Sequence, residues 1–310
     1  MALIFVFVAG LFVSISNFFM RKSIDRGGTT KAFLVFQMAA AFLVSTLIDP
    51  VRKGDFVFNA PIASLGIAAG LILACMVFAL GRALEKGPPG FTFSILNAAT
   101  VMPGIVMAIL FGSAFGFVYT AWHGIGSLLV LAGLFWAGMG LSTMQEKRKW
   151  ILFAASMFCL HILLLVLFQW RALLLNLPHP EEIVSFFTAQ EIKSAWFVPF
   201  MYLTAGIVLL GVYLKAEKRI PSRAEMGFGC FGGVANCFCT FFLIWATEVA
   251  TPLENAIIFP LFSIVGIVLS NLWGQKLYKE EVNWRACQLS AFGLIVGTVD
   301  WKAVAAVIGL

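Results

Sequence analysis

The segment from Gly87 to Gln145 contains no Asp, Glu, Lys or Arg, and this constrains the fold more than any other feature of the chain. A soluble domain carries about 25% charged residues, whereas this chain of 310 residues carries 12%, with 61% hydrophobic residues. A soluble fold of this length cannot cover so much apolar surface. The chain is therefore predicted to be an all-α polytopic membrane protein, since helices satisfy their own backbone hydrogen bonds in lipid.

Ten apolar segments are long enough, or nearly so, to cross the hydrocarbon core, which takes about 20 helical residues. They are Ala2–Met20, Ala32–Ile48, Ala60–Leu80, Phe91–Phe111, Trp122–Leu141, Trp150–Trp170, Ala195–Leu214, Met226–Thr247, Asn255–Gln275 and Trp284–Val299. Most connections are short, and the exception is the longer loop at 171–194. We expect that loop to be a solvated linker, with a lid over a pocket as the less favoured alternative.

The sequence also contains a duplication with an offset of 163 residues. Gly66 and Gly70 match Gly229 and Gly233, and Phe78, Ala83, Glu85 and Pro89 have identical partners in the same register. The common register predicts two five-helix repeats, at residues 1–145 and 146–310, an architecture typical of transporters. Glycines at this spacing allow close helix contact either within one chain or between two chains. The second alternative would make the protein a homodimer.

Lys and Arg are distributed unequally between alternate loops. The loops after spans 1, 3, 5, 7 and 9 carry 15 of the 21 Lys and Arg residues, Arg285 follows at the start of the tenth span, and the remaining loops and the tail carry 5. The positive-inside rule then places the odd-numbered loops in the cytoplasm and both termini outside. The net charge of +6 is explained by topology in this way and does not indicate nucleic-acid binding.

Polar side chains at helical spacing inside the apolar spans are the candidate substrate site. The stripes at helical spacing are Ser14, Asn17 and Arg21 on span 1, Ser94, Asn97 and Thr100 on span 4, and Gly229, Gly233, Asn236 and Thr240 on span 8. Aromatic and hydroxyl groups near mid-span could complete a pocket. We assign substrate binding to Ser14, Asn17, Asn97, Trp136, His161, Tyr202, Asn236, Thr240 and Ser263. For any single member, the alternative is a hydrogen bond between helices that holds the bundle together.

His161 is the one ionisable side chain at the middle of a predicted span. A histidine titrates near neutral pH, so it could carry a coupling proton or bind substrate. The alternative is a neutral imidazole that donates one hydrogen bond to a neighbouring helix. We expect no metal site, no cofactor and no disulfide framework, because the six cysteines fall mostly in apolar spans and form no Cys-x-x-Cys pair.

The pattern resembles the drug/metabolite transporter superfamily in its ten-helix EamA-like branch. The resemblance rests on Ala83–Pro88, on Pro260–Gln275 with the following Lys276 and Leu277, and on Gly293–Gly297. It implies two inverted five-helix repeats around a central cavity and transport by alternating access. It also implies cytoplasmic termini, opposite to the charge distribution. The membrane-embedded glutamate of small relatives has no counterpart in the first span, which holds Ser14, Ser16 and Asn17 instead.

The expected function is a secondary transporter or exchanger of a small polar metabolite, such as an amino acid, S-adenosylmethionine or a sugar. Its expected partners are that solute and the lipid bilayer of a bacterial inner membrane, and the protein is not expected to be an enzyme. The first alternative is a membrane-embedded enzyme acting on a lipid or lipid-linked group, which would need a nucleophile, base or metal cluster at membrane depth. The second is a channel or a sensor, although no charge ring or Gly-rich filter is present in the sequence.

Overall fold

The computed structural model describes residues 2–111, 120–139, 146–176, 185, 188–249, 252–279, 281–299 and 301–308. In these ranges all regular structure is helical and no β-strand occurs, which confirms the all-α fold. The α-helices are α1 Ala2–Asp25, α2 Thr30–Thr46, α3 Ala60–Leu84, α4 Pro89–Ala98, α5 Met102–Phe111, α6 Ala121–Met139, α7 Lys147–Asn176, α8 Ala189–Ile192, α9 Phe197–Ala216, α10 Arg223–Val249, α11 Pro252–Tyr278, α12 Trp284–Thr298 and α13 Trp301–Ile308.

A helix lies over each of the ten predicted apolar segments. Among the described residues, six helical stretches are both long enough and apolar enough to cross a membrane. They are Ala2–Asp25, Thr30–Val51, Ala60–Leu84, Lys147–Arg171, Phe197–Ala216 and Arg223–Ala246. These six are compatible with an integral membrane protein, and the number of ten crossings stays a prediction.

Polar residues just before the helices fix several of their starts. The Thr29 hydroxyl accepts a hydrogen bond from the Ala32 N–H at the start of α2 (3.3 Å). Asn59 does the same at the start of α3 (3.0 Å), and Asn283 at the start of α12 (3.1 Å). These side chains satisfy backbone donors that have no partner within the helix. Each capping residue lies just before an apolar segment. The helix starts therefore nearly coincide with the starts predicted from hydropathy.

The chain divides into two compact units, and each draws on both halves of the sequence. Unit 1 comprises Met1–Ser14, Lys86–Arg148 and Phe238–Leu310, and unit 2 comprises Ile15–Glu85 and Lys149–Cys237. Helices α1 and α10 each contribute residues to both units. The five-helix repeats at 1–145 and 146–310 are a different division, by sequence similarity, and they stay a prediction.

In unit 2, two glycines of the duplicated segment each pack against a phenylalanine of another helix. A Cβ atom on Gly66 of α3 would lie 2.7 Å from the Cβ of Phe200 on α9. A Cβ atom on Gly229 of α10 would lie 2.6 Å from the Cβ of Phe36 on α2. Each half of the chain therefore supplies the glycine helix of one contact and the phenylalanine helix of the other. These glycines pack within a single chain.

One turn further along, Gly70 and Gly233 continue the two contacts. A Cβ atom on Gly70 would lie 2.6 Å from the Cβ of Thr204, and one on Gly233 would lie 2.8 Å from the Cβ of Ala40. Both positions also face backbone carbonyl groups of the opposite helix. Glycine is required at these places because the helix backbones approach too closely for any side chain.

In unit 1, helices α6 and α12 pack closely through small residues. Gly126 lies against the backbone of Gly297, and a Cβ atom on Gly293 would be 2.7 Å from the Cβ of Leu129. Gly133 extends this contact towards Ser290 and the start of α12. The two helices therefore associate by close backbone approach, which supplies dispersion contacts that lipid cannot replace.

Aromatic rings spaced seven residues apart on α1 pack against α10. In unit 1, the ring centroid of Phe5 lies 4.4 Å from that of Trp245, and Phe12 lies 5.4 Å from Phe238. In unit 2, Phe19 lies 5.7 Å from Phe231. A spacing of seven residues places the three rings on one face of α1, and their partners run in the opposite direction along α10.

Three consecutive residues at the start of α2 each contact a different glutamate of unit 2. The pairs are Thr29 N–H with Glu225 (2.7 Å), the Thr30 hydroxyl with Glu85 (2.6 Å) and the Lys31 ammonium with Glu217 (3.1 Å). These contacts join the loops after the first, third and seventh predicted spans. The loops after the second and sixth spans meet separately, where the Ser194 hydroxyl donates to the Asp55 carboxylate (3.2 Å). This grouping is the one that alternating membrane crossings require.

Two charged residues of the loop between α9 and α10, Glu217 and Arg219, have shifted pKa values. Burial raises the pKa of Glu217, but hydrogen bonds from Lys31 and Arg219 outweigh it and hold the pKa below the ordinary value of 4.5. The pKa of Arg219 is raised, chiefly because its guanidinium donates hydrogen bonds to Glu225. Both groups therefore remain charged in the folded protein at neutral pH.

Candidate functional site

The predicted fourth span is not one regular α-helix. Helix α4 ends at Ala98, a 3-10 turn follows at Ala99–Val101, and α5 begins at Met102. Pro103 has no backbone N–H and cannot continue the α-helical hydrogen-bond pattern of the preceding turn. A 3-10 segment inside a helix often marks a functional site, and broken spans bind solutes in many transporters.

A hydroxyl group from α11 lies at this interruption. The Ser263 hydroxyl donates to the backbone carbonyl of Asn97 (2.7 Å) and also forms a hydrogen bond with the Thr100 hydroxyl. All three residues are almost completely buried. Because Thr100 and Ser263 are 163 residues apart, they occupy corresponding positions in the predicted repeats.

The polar contact between α4 and α11 continues one turn earlier along α4. The Asn271 side-chain amide donates to the Ser94 hydroxyl (3.1 Å) and to the Cys287 sulfur of α12 (3.2 Å). Next to it on α11, the Trp273 indole donates to the Ser14 hydroxyl (3.2 Å). This polar cluster of unit 1 therefore joins residues from α1, α4, α11 and α12.

Unit 2 holds a second buried polar cluster, made by α1, α2 and α10. The Gln37 amide of α2 donates to the Ser16 hydroxyl of α1 (2.9 Å), and Ser16 donates to the carbonyl of Gly232 on α10 (2.9 Å). Gln37 and Ser16 are buried, and so is Asn17 beside them in the sequence. Among the described residues, the Asn17 amide nitrogen and the Gln37 side-chain oxygen have no hydrogen-bond partner. Such groups are rare in folded proteins and often mark bound water or ligand.

Two pairs of the predicted site residues are brought into direct contact. Ser263 meets Asn97 in unit 1, as described above. In unit 2, the Asn236 side-chain amide donates to the Tyr202 hydroxyl (3.2 Å). Tyr202 is fully buried and Asn236 is half-buried, so this bond links α9 and α10 inside the unit.

Three further predicted site residues are only partly buried. His161 on α7 and Thr240 on α10 are half-buried, and each takes part in an interaction. Trp136 on α6 is 38% exposed. Substrate binding by these three residues, and proton coupling by His161, remain predictions.

The sequence interpretation missed five side chains of the two clusters: Ser16, Gln37, Asn271, Trp273 and Cys287. A signal was present for Gln37 and Asn271, because each is a single carboxamide in a long apolar helix, where polar groups need a partner. Ser16 lies off the Ser14–Asn17 face that was chosen, and nothing in the spacing of Trp273 distinguishes it from other aromatic residues. In the described part of the chain, no group of three or more His, Cys, Asp or Glu side chains could hold a metal ion.

Comparison with known proteins identifies the fold without identifying a family. No protein-family model matches the chain, and no curated protein matches it. A crystal structure of another protein superposes with a TM-score of 0.63 over 96% of this chain and 97% of that chain, at 18% sequence identity. The fold is therefore similar to that of a known structure, and at this identity the likeness shows the fold alone.

Proposed function

We propose that this protein is a secondary transporter or exchanger of a small polar metabolite that works by alternating access. The observation that carries the proposal is the contact of Thr100 and Ser263 at the 3-10 interruption of an apolar span. Hydroxyl and amide groups are costly to bury in an apolar helix bundle unless they are used. A solute that crosses the bilayer needs such groups at membrane depth.

The two-unit organisation is consistent with alternating access. Each unit contains its own buried polar cluster, and α1 and α10 continue from one unit into the other. A carrier of this kind needs compact bodies that keep their internal packing while their accessibility changes. The glycine contacts of unit 2 and the α6–α12 contact of unit 1 provide that internal packing.

We further propose that ten spans form two inverted five-helix repeats, as in the drug/metabolite transporter superfamily. The matched contacts of Gly66 with Phe200 and of Gly229 with Phe36 support this arrangement, because they exchange the roles of the two halves. The paired positions of Thr100 and Ser263 support it as well. The proposed location is a bacterial inner membrane, with an amino acid, S-adenosylmethionine or a sugar as the solute.

Counterflow in proteoliposomes tests the proposal. Purified protein is reconstituted, loaded with one unlabelled solute class at a time, and assayed for uptake of the labelled solute. We expect exchange for one chemically coherent class, and no exchange for any member of a broad panel would contradict the proposal. Ser263→Ala should reduce the exchange rate, whereas Ser64→Ala is the matched control, since the Ser64 hydroxyl is exposed and bonds only to Pro61 of its own helix.

A separate assay tests the role of His161. If its imidazole carries a coupling proton, His161→Gln should remove the pH dependence of exchange between about pH 5 and 8, where histidine titrates. The rate and the pH profile are measured together with wild-type protein in the same liposomes. An unchanged profile would assign His161 a structural role and leave the transporter proposal intact.

A further inference from the structure

The side-chain amide of Asn97 occupies a closely fitted position at the break in the fourth span. Asn97 is 1% exposed and belongs to the last turn of α4. A Cβ atom on Gly266 of α11 would lie 2.9 Å from the Cγ, Nδ2 and Oδ1 atoms of Asn97. Glycine at position 266 thus leaves the space that the carboxamide fills.

The amide nitrogen of Asn97 has no hydrogen-bond partner among the described residues. Its own backbone carbonyl already accepts from Ser263. A buried donor without an acceptor loses the full hydration of that group and gains nothing in return. The fold therefore keeps a costly unpaired donor buried in the described part of unit 1, beside an irregular stretch of helix.

A second buried polar atom without a partner lies on the facing helix. Ser263, Gly266 and Ser270 follow at i, i+3 and i+7, so they share one face of α11. The Ser270 hydroxyl is fully buried and, in the described part of the chain, it has no partner either. We call this contact surface the α4–α11 seam, formed by Ser94 and Asn97 of α4 with Ser263, Gly266, Ser270 and Asn271 of α11.

The other carboxamide of the α4–α11 seam behaves differently. The Asn271 amide nitrogen donates to both Ser94 and Cys287, so its hydrogen-bonding capacity is used inside the protein. Asn271 joins three helices, whereas the amide nitrogen of Asn97 joins none. The two asparagines thus provide a matched pair, one with its donors satisfied and one without.

We infer that the α4–α11 seam binds a hydroxyl or carbonyl oxygen of an uncharged polar solute, with the Asn97 amide as hydrogen-bond donor. This inference rests on the proposed transport function and specifies the chemistry of its solute. The named side chains of the seam are amides and hydroxyls, which match an uncharged oxygen group. A group with a net charge at this depth would need an opposite charge beside it.

Two variants separate binding of a solute from simple support of the fold. In Asn97→Ala, the half-saturation concentration for exchange should rise about three- to tenfold, as expected for one lost hydrogen bond. The melting temperature should fall by less than in Asn271→Ala, because the truncation leaves a small cavity but removes no internal hydrogen bond of the Asn97 amide nitrogen. In Asn271→Ala, the melting temperature should fall further, because the hydrogen bonds to Ser94 and Cys287 are lost. Ser270→Ala provides a second test of the seam if Asn97→Ala does not fold.

The outcomes distinguish the inference from the proposed function. Exchange with an unchanged half-saturation concentration in Asn97→Ala would overturn the inference alone, and so would exchange confined to charged solutes. A fall in melting temperature equal to that of Asn271→Ala, without a change in half-saturation, would assign the amide to an internal water and also overturn it. Absence of exchange by wild-type protein would overturn the proposed function and the inference with it.

Discussion

The carboxylate of Glu225, in the first turn of α10, and the guanidinium of Arg219, in the preceding loop, form a two-point contact. Both terminal nitrogens of Arg219 donate to Glu225, one of them over 2.9 Å to Oε2. The Glu225 side chain is 1% exposed, and the backbone N–H groups of Thr29 and Ser222 also donate to it (2.7 Å each). One carboxylate therefore connects the start of α2 with the start of α10.

Replacement of Glu225 should lower stability more than replacement of any exposed acid. Glu225→Ala leaves Arg219 and two backbone donors without their acceptor, and we expect a loss of about 2 to 3 kcal/mol. Thermal unfolding in detergent measures it. The control is Asp49→Asn, which removes an ion pair with Lys53 whose side chains are 28% and 55% exposed, and should cost at most about 1 kcal/mol. Equal effects of the two variants would contradict the role given to Glu225.

Two glycines of α10 should respond oppositely to alanine. In Gly233→Ala, the added methyl group would press on the Gln37 backbone and lie 2.8 Å from the Cβ of Ala40, which should cost about 1 to 3 kcal/mol. Gly227 has no atom within 4 Å of its Cβ position, so Gly227→Ala should stabilise the helix by up to about 1 kcal/mol. Thermal unfolding of both variants checks the sign. Stabilisation by Gly233→Ala would exclude the close contact with α2.

The shifted pKa of Glu217 predicts a loss of stability in acid. A carboxyl whose folded-state pKa lies below its unfolded value contributes stability above the unfolded value, here 4.5. That contribution is lost as pH falls through the folded pKa, when Glu217 is protonated and its bond to Lys31 weakens. Melting temperatures of wild type and Glu217→Gln, followed from pH 7 downwards, should converge below pH 4.5. Parallel curves at every pH would contradict this assignment.

Labelling of single cysteines tests the membrane topology. Ile220, in the loop after α9, is 88% exposed, and Val57, before α3, is 74% exposed. In a background without the native cysteines, Ile220→Cys and Val57→Cys should react with a membrane-impermeant maleimide from opposite sides. Charge distribution predicts that Ile220→Cys faces the cytoplasm, and the family resemblance predicts the reverse. Labelling of both residues from the same side would contradict the alternation of spans.

The helices were predicted well because the length of an apolar segment largely determines whether it forms a helix in a membrane. An apolar run of about 20 residues has few alternatives to a helix in lipid. The helix spacing of Ser94, Asn97 and Thr100 also identified a real polar face of the fourth span. The partners of that face were only partly predicted, since spacing defines a face but does not say which helix packs against it. Ser263 was chosen for its position near mid-span, and Asn271 was missed.

Local irregularity and close packing were harder to predict. Pro103 lacks a backbone N–H and disturbs the helix locally, whereas the hydroxyl that donates to the Asn97 carbonyl beside the 3-10 turn at Ala99–Val101 comes from Ser263 on another helix. The Gly-x3-Gly pattern predicted close contact and left its partner open. In the structure, Gly66 packs against α9 and Gly229 packs against α2, and both partner helices are distant in the sequence. Both results depend on tertiary contacts, which one-dimensional spacing does not contain.

The close approach of α6 to α12 has a consequence for how the protein is made. The ribosome synthesises α6 long before α12. Gly126 therefore lacks its packing partner until Gly297 has been synthesised. Unit 2, by contrast, has all of its segments once Cys237 has emerged. Segments that leave the ribosome first can fold first. Biogenesis should therefore complete unit 2 while α6 is still without its partner, and a nascent chain arrested before α12 should leave unit 1 open to membrane quality-control proteases.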